Sequence, residues 1–460
     1  MFDIGIIGAG PGGYSAAIRA SKLGLKVVLF EKDEIGGTCL NKGCIPTKTI
    51  IHSASLFSSI KTMEKFGVFV ENPTFDYSKI AERKDDVVSK IRKSLTSLIE
   101  SYGIMIIRGE AKIVSTGKIE ANDEIFDCKN IIIATGSIPN KLNFDWAESK
   151  NVLDSNDILE LKEIPENIVI VGSGAIGIEW ARIFSSLGKK ITVVEIAKNI
   201  VPIADSEVSS RIERLLKKNR VQLFVDTSIK DFANGKVTLS NEKVIDADII
   251  LLAAGRSALF PQESENIVKT RFITVDENFE TSSKGIFAIG DVNGVSMLAH
   301  SAIHQGLAVV DYIANKKSHS FDRLQVPSVI YGNPEIAWIG ETEQSLVEQN
   351  INFKKSFFPI AALGKAQADN EIDGFVKILT NDTKILGAHV VAPEASSIIE
   401  QFAIAMKNTL KPEDIADVIF AHPTYSEGVH EAILGLSGLS VHLPPQNNWF
   451  CFTYLYYFKF

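Results

Sequence analysis

The sequence predicts an α/β protein: two Rossmann-like (βαβ) dinucleotide-binding domains followed by a C-terminal α+β domain. Three observations carry this. A glycine-rich turn joins an apolar strand to a helix near the N-terminus, the same unit returns at residues 168–195, and beyond Pro327 short strands and helices alternate. With 460 residues, 45% of them hydrophobic, the chain can fill roughly two to four domain cores. A net charge of −8 argues against nucleic acid or an anionic membrane as partner. Four cysteines are too few for a secreted disulfide scaffold, so the expected compartment is reducing. With no basic leader and no apolar run of membrane-spanning length, the expectation is a soluble, cytoplasmic enzyme.

Ile4-Gly5-Ile6-Ile7 reads as a buried parallel strand that runs into Gly8-Ala9-Gly10-Pro11-Gly12-Gly13, which opens a helix reaching about Gly24. Lys26 to Phe30 is the next strand and ends in Glu31. Gly8 permits the tight turn, Gly10 lets the backbone approach a pyrophosphate, and Gly13 lets the helix lie close on the sheet. The helix N-terminus offers free N–H groups to the phosphates, and Glu31 is placed for ribose hydroxyls. Strand, turn, helix, strand and acid in this order make a strong dinucleotide signal.

The second unit is Ile168-Val169-Ile170-Val171, then Gly172-Ser173-Gly174-Ala175-Ile176-Gly177, a helix to about Leu187, and the strand Ile191 to Val194 ending in Glu195. The acid follows the first glycine by the same interval, 31 − 8 = 23 and 195 − 172 = 23. Two nucleotide sites on one chain follow from that repetition. Glu195 would accept from a free ribose hydroxyl and repel a 2′-phosphate, and no Arg occurs in Ile196-Ala197-Lys198-Asn199. The reading is NAD over NADP, with Lys198 the cation that keeps NADP open.

Close behind the first turn, Gly36 to Lys48 sets Cys39 and Cys44 five positions apart. A disulfide there closes a very short ring, worth only about 2 kcal/mol by chain entropy. An accessible pair beside a nucleotide site makes more sense as one that opens and closes. The other readings are two unrelated buried thiols or half of a metal site, and no second Cys/His cluster lies nearby to complete a metal shell.

Further along, Ser78 to Ser101 is charged and helix-periodic, a surface helix. Ile131 to Ser137 and Leu251 to Arg256 are apolar strands running into glycine turns, the expected returns to the first and second domains. Gly285 to Asp291 is another strand, and its acid suits either the polyol of a flavin or the N-cap of the next helix. The last domain reads as strands Ser328 to Tyr331, Gly374 to Leu379 and Ile385 to Val391, with helices Ala395 to Lys407 and Pro412 to Val418. Near its end stand His422 and Glu427, a surface or core pair in the plain reading. Beside a dithiol enzyme they offer a base of near-neutral pKa. Aromatic residues crowd into Asn447 to Phe460, a stretch too short to span a bilayer. It reads as an atypical tail, disordered or docked, with a membrane-touching anchor as the alternative.

Assembled, residues 1 to about 440 resemble the FAD-dependent pyridine nucleotide–disulfide oxidoreductases. Leu40, Asn41 and Ile45-Pro46 are similar to the branch that reoxidises dihydrolipoyl groups, whereas glutathione and mercuric reductases typically carry Val at the first and third of these positions. Met297-Leu298-Ala299-His300, Pro334 to Gly340 and His422 to Glu427 match further family blocks. The resemblance implies Cys39 as interchange thiol, Cys44 as charge-transfer thiol against the flavin, and His422 as base, oriented by Glu427 and supplied by the other subunit of a homodimer. It makes Lys48 and Glu179 an ion pair near the flavin's reactive nitrogen, and adds Thr38, Thr135, Gly136, Gly255 and Ala299 to the cofactor-binding set. The implied cofactors are FAD and NAD+. The implied partners are lipoyl domains and the acyltransferase core of a 2-oxo acid dehydrogenase complex, or the glycine cleavage system.

The implied domains are 1–145 and 269–325 for FAD, 146–268 for NAD, 326–445 for dimerisation, and the tail 446–460. Departures from the family pattern are Thr47 for Ser, Ser257-Ala258-Leu259 for Pro-Asn after Gly-Arg, Gln305 for Glu, and Phe420 for His. The rival functions are a glutathione-type reductase running from NADPH and a low-turnover flavin-binding scaffold.

Overall fold

The computed structural model describes residues 1–262, 267–316, 321–381 and 383–444. They divide into two compact units. The first is Met1–Ile200 with Leu216–Arg323; the second is Val201–Leu215 with the described residues from Leu324 onward.

The first unit begins with β1 (Phe2–Ile7), α1 (Pro11–Lys22) and β2 (Val27–Glu31). Then come α2 (Gly37–Lys42), α3 (Cys44–Met63), α4 (Tyr77–Ser101), β3 (Met105–Arg108), β4 (Ala111–Ser115), β5 (Lys118–Ala121) and β6 (Glu124–Ile133). β7 (Ser137–Pro139) and β8 (Val152–Leu153) lead to the second nucleotide fold. That fold holds β9 (Asn167–Val171), α5 (Ala175–Ser186) and β10 (Lys190–Val194). After α6 (Ser206–Lys218), whose residues up to Leu215 belong to the second unit, come β11 (Gln222–Phe224), the meander β12 (Ile229–Ala233), β13 (Lys236–Leu239), β14 (Val244–Asp246), and then β15 (Ile249–Leu252). β16 (Arg256–Ala258), β17 (Ile286–Ala288) and α7 (Ala299–Ile313) complete it.

The first sheet runs β3-β2-β1-β6, with β17 also on β6, all parallel. Ile4, Ile6 and Ile7 are buried, as strands covered on both faces require. The far half of β6 turns antiparallel with β5, and β5 with β4. The second sheet repeats the parallel plan in the order β11-β10-β9-β15-β8. In both folds the glycine turn sits at the carboxyl end of the central strand, where open α/β sheets hold ligands.

One expectation shifts at an element end. α1 stops at Lys22 because Gly24 is left-handed, with φ +80°, so the chain leaves the helix two residues early. The stretch 36–48, to which the sequence pattern assigns no element, lies in α2 and the start of α3. Its glycines bracket the helices rather than interrupt them: Gly36 caps α2 at φ +98°, and Gly43 is the hinge before Cys44.

The second unit is an antiparallel sheet in the order β18 (Ser328–Ile330), β19 (Glu335–Gly340), β22 (Ile385–Ala392), β21 (Phe375–Thr380), β20 (Lys354–Pro359). Along the chain α8 (Glu343–Glu348), α9 (Gly364–Asp369), α10 (Ala395–Lys407), α11 (Pro412–Ala416) and α12 (Glu427–Gly435) complete it. Phe358, Ile378, Val390, Ile399 and Phe402 fill its core. The segment 201–215 packs with this unit, and buried Lys377 on β21 explains why. Its Nζ meets Asp205 at 2.9 Å, Glu207 at 2.8 Å and Glu343 at 2.6 Å. The aromatic tail lies outside the described residues.

Candidate active site

The two phosphate turns are built alike. Gly8 has φ +105° and Gly172 φ +99°, a region only glycine adopts without strain. A Cβ on Gly13 would lie 1.9 Å from Gly8 O, and one on Gly177 2.0 Å from Gly172 O, so each helix can approach its strand only with glycine there. Gly10 and Gly174 are the N-caps of α1 and α5. The terminal acids bind these turns. Glu31 Oε2 accepts from Ala9 N at 2.7 Å and Oε1 from Asp33 N at 2.8 Å. Glu195 Oε2 accepts from Ser173 N and Oγ, both at 2.7 Å, and Oε1 from Ala197 N at 2.8 Å. Each carboxylate still has lone-pair capacity for a ribose hydroxyl.

Cys39 lies on α2 and Cys44 is the first residue of α3; both are free thiols, half-buried, and hydrogen-bonded to one another. Thr38 precedes Cys39 on α2. Asn41 clamps the preceding loop by donating from Nδ2 to Gly37 O at 2.9 Å and Ile35 O at 3.1 Å. The pair divides its protons unequally. The hydrogen bond from Cys39 lowers Cys44 to about 7; burial opposes this and Lys48 assists. The same bond, with burial, pushes Cys39 far up. The helix N-terminus beneath Cys44 favours the anion as well. One turn on, Lys48 Nζ meets both oxygens of Glu179 on α5 at 2.8 Å.

Around the sheet ends, Gly136 and Gly255 are both left-handed, at φ +73° and +87°. Thr135 Oγ1 donates to Leu259 O, and Gly136 O accepts from Leu259 N at 2.9 Å. Ser257 and Ala258 pair antiparallel with Ile138 and Ser137, joining β16 to β7. Asp291 lies in a single 3₁₀ turn and accepts from Ser137 Oγ, so it caps no following helix. Ala299 begins α7.

Sequence reasoning missed Arg256 as a site residue, although it stands in a quoted glycine turn. It donates to Ser137 Oγ at 2.8 Å and Ser137 O at 2.7 Å, and burial lowers it against the pull of Asp291 and Asp154. Gln305 is fully buried; its carbonyl accepts from Gly290 N at 2.8 Å and Asn293 Nδ2 at 2.9 Å, and Nε2 donates to Ser301 Oγ. A neutral amide satisfies those donors without burying a charge.

In the second unit His422 Nδ1 meets Glu427 Oε1 at 2.8 Å, while Glu427 Oε2 accepts from Thr424 N at 2.8 Å. The ring is 74% exposed, so its Nε2 edge faces outward. Burial works against the Glu427 anion, but the His422 bond and the Thr424 N–H hold it below the usual carboxylate range. Phe420 stacks on His430 at 5.2 Å, an apolar use of the position. Among the described residues no group of His, Cys, Asp and Glu is arranged to hold a metal ion. No helix among them is long and apolar enough to cross a membrane.

Two dinucleotide turns with a vicinal thiol pair at a helix start define a nucleotide-dependent thiol–disulfide oxidoreductase. Residues 2–306 match the pyridine nucleotide-disulphide oxidoreductase family and residues 326–433 its dimerisation domain, and the chain belongs to that family. The dihydrolipoyl dehydrogenase of Bacillus subtilis is 36% identical over 96% of this chain and 99% of its own. The mitochondrial dihydrolipoyl dehydrogenase of Pisum sativum is 36% identical over 96% and 92%. The crystal structure of LpdA from Mycobacterium tuberculosis superposes with a TM-score of 0.88, covering 95% of this chain and 100% of that one; at 24% identity this likeness concerns the fold.

Proposed function

We propose that the chain is an NAD-dependent flavoenzyme that oxidises the dithiol of dihydrolipoyl groups. Its carrying observation is Cys44, a thiol lowered to about 7 at the start of α3, beside a proton-holding Cys39. The relatives named dihydrolipoyl dehydrogenase support the same substrate class. The dimerisation domain supports a homodimer. The partners are lipoyl domains and the acyltransferase core of a 2-oxo acid dehydrogenase complex or the glycine cleavage system, in the cytoplasm.

The turns have room for the cofactors. A Cβ on Gly174 would stand in open space, and one on Gly10 would meet nothing nearer than Gly37 Cα at 4.0 Å. Gly8, Gly10, Gly13, Glu31 and Asp291 would hold FAD; Gly172, Gly174, Gly177 and Glu195 would hold NAD+. When bound, FAD supplies the two-electron relay between dithiol and nicotinamide. The corresponding domains are 1–145 with 269–325, 146–268, and 326–445.

His422 of the partner subunit takes the proton of one substrate thiol, with Glu427 fixing its ring. The resulting thiolate attacks Cys39 Sγ of the oxidised pair, and Cys44 leaves as a thiolate. A low leaving-group pKa makes that departure fast. The second substrate thiol then displaces Cys39 from the mixed disulfide, its proton passing to the departing Cys39 sulfur. Cyclic lipoyl disulfide departs, leaving Cys39 as thiol and Cys44 as anion. Lys48 supports that anion.

The test is Cys44→Ser. The variant is expected to keep FAD yet lose dihydrolipoamide turnover and the long-wavelength band that appears on reduction. Wild-type turnover in it would end this reading.

A further inference from the structure

Of the side chains in the two glycine turns, only Ser173 carries a hydrogen-bonding group; its counterpart in the first turn is Ala9. The acids of both turns accept the same backbone bonds. Glu31 accepts from Ala9 N at 2.7 Å and Asp33 N at 2.8 Å, and Glu195 from Ser173 N at 2.7 Å and Ala197 N at 2.8 Å. In the second turn Ser173 Oγ also donates to Glu195 Oε2, at 2.7 Å. Ser173 is 0% exposed and Glu195 8%, so water does not compete for that bond. The backbone beneath the carboxylate is fixed as well. Glu195 N donates to Phe224 O at 2.8 Å, Thr227 N to Glu195 O at 3.0 Å, and Asp226 N to Ala197 O at 2.9 Å. Only side-chain torsions can carry the carboxylate off its turn, and the hydroxyl bond opposes them.

We propose that Ser173 is a positioning residue for coenzyme choice: its buried hydroxyl locks Glu195 onto the turn in an orientation that a ribose hydroxyl fits and a 2′-phosphate does not. This rests on the reading of the second fold as the NAD site. Among the described residues Oε2 accepts twice and Oε1 once, so an acceptor direction on Oε1 is what meets the ribose. A ribose hydroxyl can donate to it. A fully ionised 2′-phosphate offers only acceptors, so it is seated only when Glu195 leaves the turn and gives up these three bonds. Lys198, exposed three residues on, is then the donor such a phosphate would find. The extra lock stands where discrimination is needed. FAD has no 2′-phosphorylated counterpart for the first fold to refuse, whereas the two nicotinamide coenzymes differ by that group alone. Breaking one further bond to a carboxylate is expected to cost a 2′-phosphate about tenfold in affinity (~1.4 kcal/mol).

The experiment is calorimetric titration of the FAD-loaded, full-length protein with ADP-ribose and with 2′-phospho-ADP-ribose. Both probes lack the nicotinamide, so they report binding without turnover. Ser173→Ala and Ser173→Gly each remove the hydroxyl and keep the N–H. In both variants the Kd for the phosphorylated probe, divided by the Kd for ADP-ribose, is expected to fall about tenfold from wild type. General damage to the turn would weaken both probes and leave their ratio alone. Glu195→Ala should lower the ratio further, and adding Ser173→Ala to it should change nothing more, because a residue that acts through Glu195 has no effect without it.

An unchanged ratio in both Ser173 variants overturns the proposal, as does an undiminished fall on the Glu195→Ala background. A wild type that binds the phosphorylated probe as tightly as ADP-ribose removes the NAD reading itself, and this proposal with it. A wild type that prefers ADP-ribose, with a flat ratio in the variants, removes only the role of Ser173.

Discussion

A sulfur that must leave as an anion needs a cation near it and a neighbour willing to keep the proton. Cys44 has both, in Lys48 and Cys39. The sign follows directly. A pKa lowered to about 7 leaves Cys44 anionic above that pH and protonates it below. Removing the Lys48 charge in Lys48→Met must raise the midpoint, because one favourable Coulomb contribution is lost while burial remains. Titrating the thiolate absorbance of the two-electron-reduced protein from pH 5 to 9 is expected to show that alkaline shift; an unmoved midpoint would assign the depression to Cys39 and the helix start alone. The second residue at this scale is His422. Its outward ring and its carboxylate at 2.8 Å suit a base working on an incoming thiol. His422→Gln is expected to lower the steady-state dihydrolipoamide rate by about 10²-fold or more. Rates within a factor of two would require another base.

Helices and turns explain why the nucleotide folds could be read from the chain and the thiol helices could not. The turn Gly8 to Gly13 works through local contacts: a backbone at positive φ, a helix start, and an acid that returns to bond its own turn. Such contacts span few residues, so spacing alone carries them, and the second turn repeats them residue for residue. The segment 36–48 is different. Its glycines suggest loop by propensity, yet Gly36 and Gly43 only bound two helices. Asn41 pins α2 to the loop before it, a contact that residue type does not announce. The close approach at the second turn gives an element-scale prediction. Gly177→Ala places a Cβ 2.0 Å from Gly172 O, so α5 must move away from β9. The first turn is untouched. FAD content and reduction of the thiol pair by dihydrolipoamide should persist, while KM for NAD+ rises roughly tenfold, a change of about 1.4 kcal/mol. Loss of FAD together with NAD+ affinity would mean that the two folds do not act independently.

At the scale of the whole chain, the sequence hides what distant segments share. Strand and helix positions in the last unit follow from local pattern, but nothing local ties residues 201–215 to that unit. The tie is Lys377, 1% exposed, which meets Asp205, at 0%, across 172 positions of sequence. His389, on the neighbouring strand β22 and also fully buried, completes the cluster. Its Nε2 bonds Glu341 O at 3.1 Å, which assigns the ring proton to Nε2 and leaves Nδ1 bare, with no partner in the interior. Adding a proton there would bury a charge beside the Lys377 ammonium. Burial is the larger cause, Asp205 pulls the other way, and the net result is a pKa lowered from 6.5 to about 4. A depressed folded-state value means the folded protein binds the proton later than the unfolded chain. The stability so gained is full above pH 6.5 and is lost as pH falls toward 4, on the order of 3 kcal/mol across the window. Asp205 is also depressed, but from the ordinary carboxylate range, so its contribution disappears at lower pH and does not overlap. His389→Gln keeps a donor for Glu341 O and removes the titration. Hydrogen exchange of the β22 amides, referred to intrinsic rates at each pH, is expected to lose protection between pH 6.5 and 4 in the wild type and to stay nearly level in the variant. Equal slopes in the two proteins would place the acid sensitivity of this unit elsewhere than in the buried imidazole.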